Sequence, residues 1–339
     1  MDGRAIIREP MSDNAASPDH PVIQEIVRRG RGKIDGNSRG ALQGGVKLGL
    51  VVEGGGMRGV SSGGALVAME ALGLSNAFDA VYGESAGAIN SCYFLAGQGS
   101  FGIRIYLDDL TSLKFANPLR VGTILDVGYA IDVVVKTIKP LNIERVMASP
   151  SDLFMAITSA VTGESRIVDV KREGIPLLTL LKATGAIVPL YNHPVMIGDQ
   201  PYVDGGIANP IPVSSAITAG CTHILVLLTR PPEFRSEGFS SFQRLCLAPL
   251  FRKWPRAFVE SFYRRQDLLY NEARNIAFGR TPPGRDVKIA VIGPAPDSPL
   301  VGRSTVFRKR LLAAKDDAAS RTREVFRDLE PIADPTRPL

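Results

Sequence analysis

The chain has 339 residues, 45% of them hydrophobic and 22% charged, with 34 glycines and 24 prolines. That balance excludes collagen-like, disordered and coiled-coil classes, and the length allows one large domain or two modest ones. The formal net charge of +6 is a mild excess; it fits an anionic surface without separating lipid from nucleic acid, and no nucleic-acid partner is expected.

Cys92, Cys221 and Cys246 form no CxxC pair, so neither a disulfide framework nor a structural zinc site is expected. His20, His193 and His223 lack ligand spacing. No metal site is expected. Residues 1–20 mix charges without an apolar core, and no run approaches the ~18 apolar residues of a membrane span. The expected location is cytoplasmic, with room for peripheral membrane contact.

Residues 1–44 are polar and read as a flexible arm in which a short helix fits Val22–Arg29. Val46–Val52 is a short apolar run bounded by glycines, the pattern of a buried strand. The turn Gly54–Gly59 follows, then a helix over Ser61–Leu72 with Leu66, Met69 and Leu72 on one face. Ala80–Tyr82 reads as a second strand, Gly83–Gly87 as a sharp turn and Ala86–Leu95 as an apolar helix. This alternation predicts a mainly parallel α/β sheet with helices on both faces.

Further strands fit Leu153–Thr158 and Ser165–Val170 around a hairpin at Thr162-Gly163. A helix fits Pro176–Ala183, with proline in its first turn. Val195–Ile197 and Pro201–Val203 flank a second hairpin; a helix at Val213–Ala219 leads to a strand at His223–Thr229. Long helices fit Pro255–Phe278 and Ser304–Leu329, with a strand at Val287–Ile292 between them. The expected division is the arm, an α/β domain over 45–230 and a mainly helical extension over 231–339 packed on that domain.

Three motifs carry chemistry. Gly54-Gly55-Gly56-Met57-Arg58-Gly59 follows a strand and opens a helix. Its bare N–H groups at a positive helix end suit an anion, either a phosphate or a transient oxyanion. Gly54, Gly56 and Gly59 also satisfy a dinucleotide fingerprint, but Asp79 stands at the wrong end of the next strand and no Walker lysine follows. Gly83-Glu84-Ser85-Ala86-Gly87 is G-x-S-x-G between strand and helix, the context of a nucleophile elbow; the bland reading is a tight turn with a capping serine. Asp204-Gly205-Gly206 ends a strand and could be an ordinary turn.

A serine nucleophile needs a base. A Ser…Asp…His order would require His223, which starts a predicted strand, whereas sites in parallel sheets lie at the carboxyl ends. His193 lies in a loop and His20 in the arm. A Ser85–Asp204 dyad remains. An ordinary aspartate, with a pKa near 3.9, is a poor base for serine. The dyad therefore needs a strong oxyanion hole, where each donor contributes ~3–4 kcal/mol. A His-assisted carboxylesterase on small soluble esters, or a nucleotide- or anion-binding module built on the glycine turn, are the competing readings.

Together the three motifs resemble the patatin-like phospholipase family, closely around Leu48–Gly97 and Leu181–Pro212 and diffusely after Arg230. The resemblance implies a three-layer α/β/α fold over 45–230, no cofactor, and hydrolysis of acyl esters in phospholipids or other lipids, of phospholipase A or lysophospholipase type. It makes Ser85 the nucleophile and Asp204 its base. It places the oxyanion hole in the turn Gly54, Gly55 and Gly56, with the N–H groups of Gly55 and Gly56 as donors and Gly54 shaping the turn. Arg58 is expected to brace the loop by hydrogen bonds, and Gly59, Gly83, Gly87, Gly205 and Gly206 complete the motifs.

Lipid access has two candidate segments. Leu245–Arg265 combines Phe251, Trp254, Phe258 and Phe262 with five basic residues, suiting either an interface with anionic lipid or a core-facing helix with a solvated face. Leu119–Leu141, with Ile131–Val135 at its centre, suits an acyl pocket, a lid or a plain buried helix.

Overall fold

The computed structural model describes residues 14–34 and 45–331. Its strands are β1 (Leu48–Val52), β2 (Ala80–Gly83), β3 (Asp152–Ser159), β4 (Ser165–Asp169), β5 (Val195–Ile197), β6 (Gln200–Asp204), β7 (His223–Leu227) and β8 (Lys288–Ile292). They form one sheet in the order β5-β6-β3-β2-β1-β7-β8, with β4 also paired to β3. The run β3-β2-β1-β7-β8 is parallel, whereas β4, β5 and β6 join antiparallel. Every residue of β1 is buried. A central strand covered on both faces needs an unbroken apolar run, which LGLVV supplies.

The longer helices are α1 (Pro21–Ile34), α2 (Gly59–Ala71), α3 (Ser85–Leu95), α4 (Leu177–Gly185), α5 (Val213–Thr218), α6 (Ser241–Leu247), α7 (Arg256–Ala277) and α8 (Arg308–Val325). Alternation along β1 divides the interior into two cores. Leu48, Leu50 and Val52 pack with residues of α2, α3 and α4; Val51 packs with Tyr82 and residues of α5 and α7. The result is a three-layer α/β/α arrangement. α2 and α3 are apolar nearly all round because neighbours cover them on every side; α8 lies directly on α2.

The described part of the expected arm is ordered. Val22, Ile23 and Ile26 of α1 are fully buried, and α1 packs against β7 and β8. The backbone of Asn14–Ala16 bonds to Val291 on the edge of β8, which covers that edge. Residues 1–13 and 35–44 lie outside the described residues. The part beyond Arg230 contributes more than helices, since β8 extends the sheet and α7 and α8 cover its two faces.

Of the two readings of Leu245–Arg265, the core-facing one holds for its buried aromatic rings, which point inward. Phe251, Phe258 and Phe262 are buried, and Trp254 stacks on Phe258 at 4.5 Å. Phe258 and Phe262 stand four residues apart on α7 and so share the face that turns to the core. The exposed apolar side chains here are Phe242 and Leu245 on α6.

Because β8 and α8 complete the sheet and its cover, a fragment of residues 45–230 is expected not to fold. Circular dichroism melts of the fragment and the full chain check this. A cooperative, full-chain-like transition in the fragment would contradict it.

Candidate active site

Ser85 joins the carboxyl end of β2 to the start of α3. Among the described residues it is the one non-glycine residue with positive φ, at 51°. Such a conformation costs on the order of 1–3 kcal/mol and persists only where the surroundings impose it. Here the Ser85 N–H donates to Thr184 Oγ1 at 2.8 Å, and the Thr184 hydroxyl donates to the Ala156 carbonyl at 2.7 Å. α4 and β3 thus clamp the elbow. Gly87 is required by close approach, since a Cβ there would lie 2.3 Å from the Val52 carbonyl oxygen.

Asp204 reaches Ser85 through strand register. Phe154 and Met155 of β3 pair with β2 on one edge and β4 on the other. Ile157 and Thr158 pair with β4 and with β6. β2 and β6 therefore share one edge of β3 and run toward each other. Their carboxyl ends, Gly83 and Asp204, oppose Met155 and Ile157. Gly205 lets the chain turn there, because a Cβ on it would lie 2.1 Å from the Ala156 carbonyl oxygen.

The Asp204 carboxyl is buried. Its Oδ1 accepts the Gly206 N–H at 2.7 Å, while Oδ2 has no hydrogen bond of full geometry among the described residues, with the Ser85 hydroxyl near the carboxyl. Burial pushes its pKa up to about 6, against hydrogen bonding from Ser85 and Gly206 and attraction by Arg303. That value lies closer to neutral pH than an ordinary aspartate's, the range in which a general base works best.

The glycine turn departs from expectation at Gly54. Its N–H donates to Glu84 Oε1 at 2.6 Å and is not free for an oxyanion. Gly55 and Gly56, at φ +125° and +61°, give their N–H groups to no acceptor among the described residues. Arg58 is buried and makes no bracing hydrogen bond among the described residues: its guanidinium packs against Gly55, where a Cβ would lie 2.7 Å from Nη2, and its Nε has no partner among them. Burial, then the charges of Arg303 and Arg230, lower its pKa to about 9.

Ser85 lies between two hollows. A polar pocket of about 340 Å³ is lined by Asp204, Glu84 and Gly55 together with Arg58, Arg230 and Arg303. An apolar cavity of about 60 Å³ is lined by Met57, Leu125, Val127, Ala130, Ile131 and Val135. Part of Leu119–Leu141 thus opens beside the serine, and a π-wound helix, Tyr129–Ile138, carries three of these side chains. No histidine lines either hollow. Among the described residues no cluster of His, Cys, Asp and Glu suits a metal ion.

The motifs did not single out Glu84, Glu53, Thr184, Tyr270, Arg230 or Arg303. Glu53 directly follows the first strand and accepts from the Thr229 N–H at 2.6 Å and the Tyr270 hydroxyl at 2.9 Å, tying α7 to the pocket lining. Only Glu84 carried a signal, as the variable residue of G-x-S-x-G.

The raised pKa of Asp204 sets a stability prediction. Its folded value exceeds the unfolded 3.8, so ionisation costs stability. The benefit of the proton is complete below 3.8 and lost as pH rises through about 6. Asp204→Asn is therefore expected to raise stability at pH 7.5 by about 2–3 kcal/mol, with a gain that shrinks to nothing near pH 3.5. Urea unfolding at both values measures it.

A family model described as patatin-like phospholipase matches residues 50–217. The chain is 27% identical over 207 residues to YjjU, an uncharacterized protein of Escherichia coli (strain K12), a match covering 58% of this chain and 57% of that protein. The chain thus matches somewhat more than half the length of this curated relative. It is also similar to VipD from Legionella pneumophila, whose crystal structure aligns at a TM-score of 0.45 and 12% identity over 84% of this chain and 67% of that one. Residues 50–217 hold the glycine turn, the serine elbow and the aspartate turn, and through them the chain belongs to the patatin-like phospholipase family.

Proposed function

We propose that the chain is a serine lipid acyl hydrolase of phospholipase A or lysophospholipase type that works through a Ser85–Asp204 dyad. One observation carries the reading: a strained serine beside a buried aspartate of raised pKa stands between an apolar cavity and a polar pocket. A lipid ester has the same division, with an acyl chain on one side of the carbonyl and a polar alcohol on the other.

In this mechanism Asp204 accepts the Ser85 proton as Oγ bonds to the ester carbonyl carbon. The oxyanion is held by the Gly55 and Gly56 N–H groups. The carbon–oxygen bond to the alcohol breaks, and the proton on Asp204 passes to the leaving oxygen. Water then adds to the acyl-enzyme carbonyl as Asp204 takes its proton; the bond from the acyl carbon to Ser85 Oγ breaks, Oγ regains that proton from Asp204, and the fatty acid leaves. Arg230 and Arg303 stand where a polar headgroup would lie. Phe242 and Leu245, exposed on α6 and followed in sequence by exposed Arg252, Lys253 and Arg256, form the surface that would meet a membrane.

A fluorophosphonate probe tests the nucleophile directly. The wild type is expected to label, a folded Ser85→Ala not at all, and Asp204→Asn at least about 100-fold more slowly. Equal labelling of wild type and Ser85→Ala would defeat the proposal.

The acyl side has its own test. Ala130→Leu narrows the apolar cavity. It is expected to lower kcat/KM for a decanoyl ester about tenfold relative to an acetyl ester. An unchanged chain-length profile would place the acyl group elsewhere.

A further inference from the structure

The dyad mechanism leaves one buried acid without a task. Glu84 is 3% exposed and immediately precedes Ser85. Its Oε1 accepts the Gly54 N–H. Its Oε2 lies against Gly206, where a Cβ would sit 2.9 Å from that oxygen and 2.9 Å from Asp204 Oδ1. Gly206 is the residue whose N–H holds Asp204. One side chain therefore touches the glycine turn at one end and the aspartate turn at the other.

We propose that Glu84 is a positioning residue that ties the oxyanion turn to the Asp204 turn and holds the Gly55 and Gly56 N–H groups toward the carbonyl that Ser85 attacks. The proposal rests on the hydrolase reading above. Accepting the Gly54 N–H fixes that peptide, and with it the direction of the two that follow. Glu84 does this as a neutral acid. Burial, then the charge of Asp204, raise its pKa well above the carboxylate range; Glu53 adds to the effect, while the Gly54 N–H and Arg303 oppose it. Two buried carboxyls this close do not both ionise readily, and the proton stays on Glu84 while Asp204 serves as base. A neutral carboxyl offers one acceptor and one donor, as a glutamine side chain also does, whereas leucine offers neither.

The full chain with Glu84→Gln and Glu84→Leu tests this, with Ser85→Ala as the zero. Fluorophosphonate labelling rates and ester kcat and KM are the readouts, and circular dichroism checks folding. Glu84→Gln is expected to stay within about fivefold of wild type. Glu84→Leu is expected to lose about 100-fold in kcat with KM within about twofold, the scale of one lost oxyanion donor. If the leucine variant does not fold, Glu84→Asp, one methylene too short to span both turns, replaces it with an expected loss of about tenfold in kcat. Wild-type kcat in Glu84→Leu (or in Glu84→Asp where that replaces it), or a glutamine variant as slow as the leucine or aspartate variant, would overturn the proposal. Failure of the hydrolase reading looks different: wild type and Ser85→Ala would then label alike, and the positioning role would fall with it.

Discussion

The site depends on one edge of β3. That edge carries β2 for its first half and β6 for its second, and the two strands meet carboxyl end to carboxyl end. Ser85 follows one and Asp204 ends the other, so 118 residues of intervening chain are closed by a few ladder hydrogen bonds. β4 covers the opposite edge of the same strand and holds it in register. Thr184 adds a cross-tie by joining the Ser85 N–H to the Ala156 carbonyl of β3.

The electrostatics follow from this closure. Glu84, Asp204 and Glu53 are all buried in a small volume. Water is largely excluded, so each carboxylate must find donors or keep its proton. Glu53 finds the Thr229 N–H and the Tyr270 hydroxyl. Asp204 takes the Gly206 N–H and stays poised near neutrality. Glu84 has one backbone donor, the Gly54 N–H, and burial followed by the charge of Asp204 raises its pKa. The arginines around the polar pocket moderate the cluster, as the attraction of Arg303 for both Asp204 and Glu84 shows. Stability is spent here on a strained serine and an ill-solvated base, a cost typical of sites rather than of cores.

Much of the local structure was legible. β1, α2, β2 and α3 fall within three residues of the expected boundaries, because short apolar runs between glycines leave little choice. The later strands and the long helices α7 and α8 were equally plain. Before β1 the helix was legible at Val22–Arg29 but its docking was not: the polar composition hides that Val22, Ile23 and Ile26 share a buried helix face. The aromatic stretch Leu245–Arg265 was ambiguous because composition cannot say which way a ring faces. Gly54 was read as part of an oxyanion hole, although a neighbouring acid thirty residues on had already taken its N–H.

By itself the sequence determined the alternation of strand and helix, the glycine turn, the serine elbow and the aspartate turn, and with them the family. These are local properties: each rests on residues within a few positions of one another, where steric freedom of glycine and apolar periodicity decide the backbone. Tertiary structure decided which edge brought Asp204 to Ser85, that Glu84 spans two turns, that Glu53 anchors α7, and that Arg230 and Arg303 enter the pocket. Those outcomes depend on strand register and burial, and pKa follows burial. None of them is carried by a residue's own neighbours in the chain.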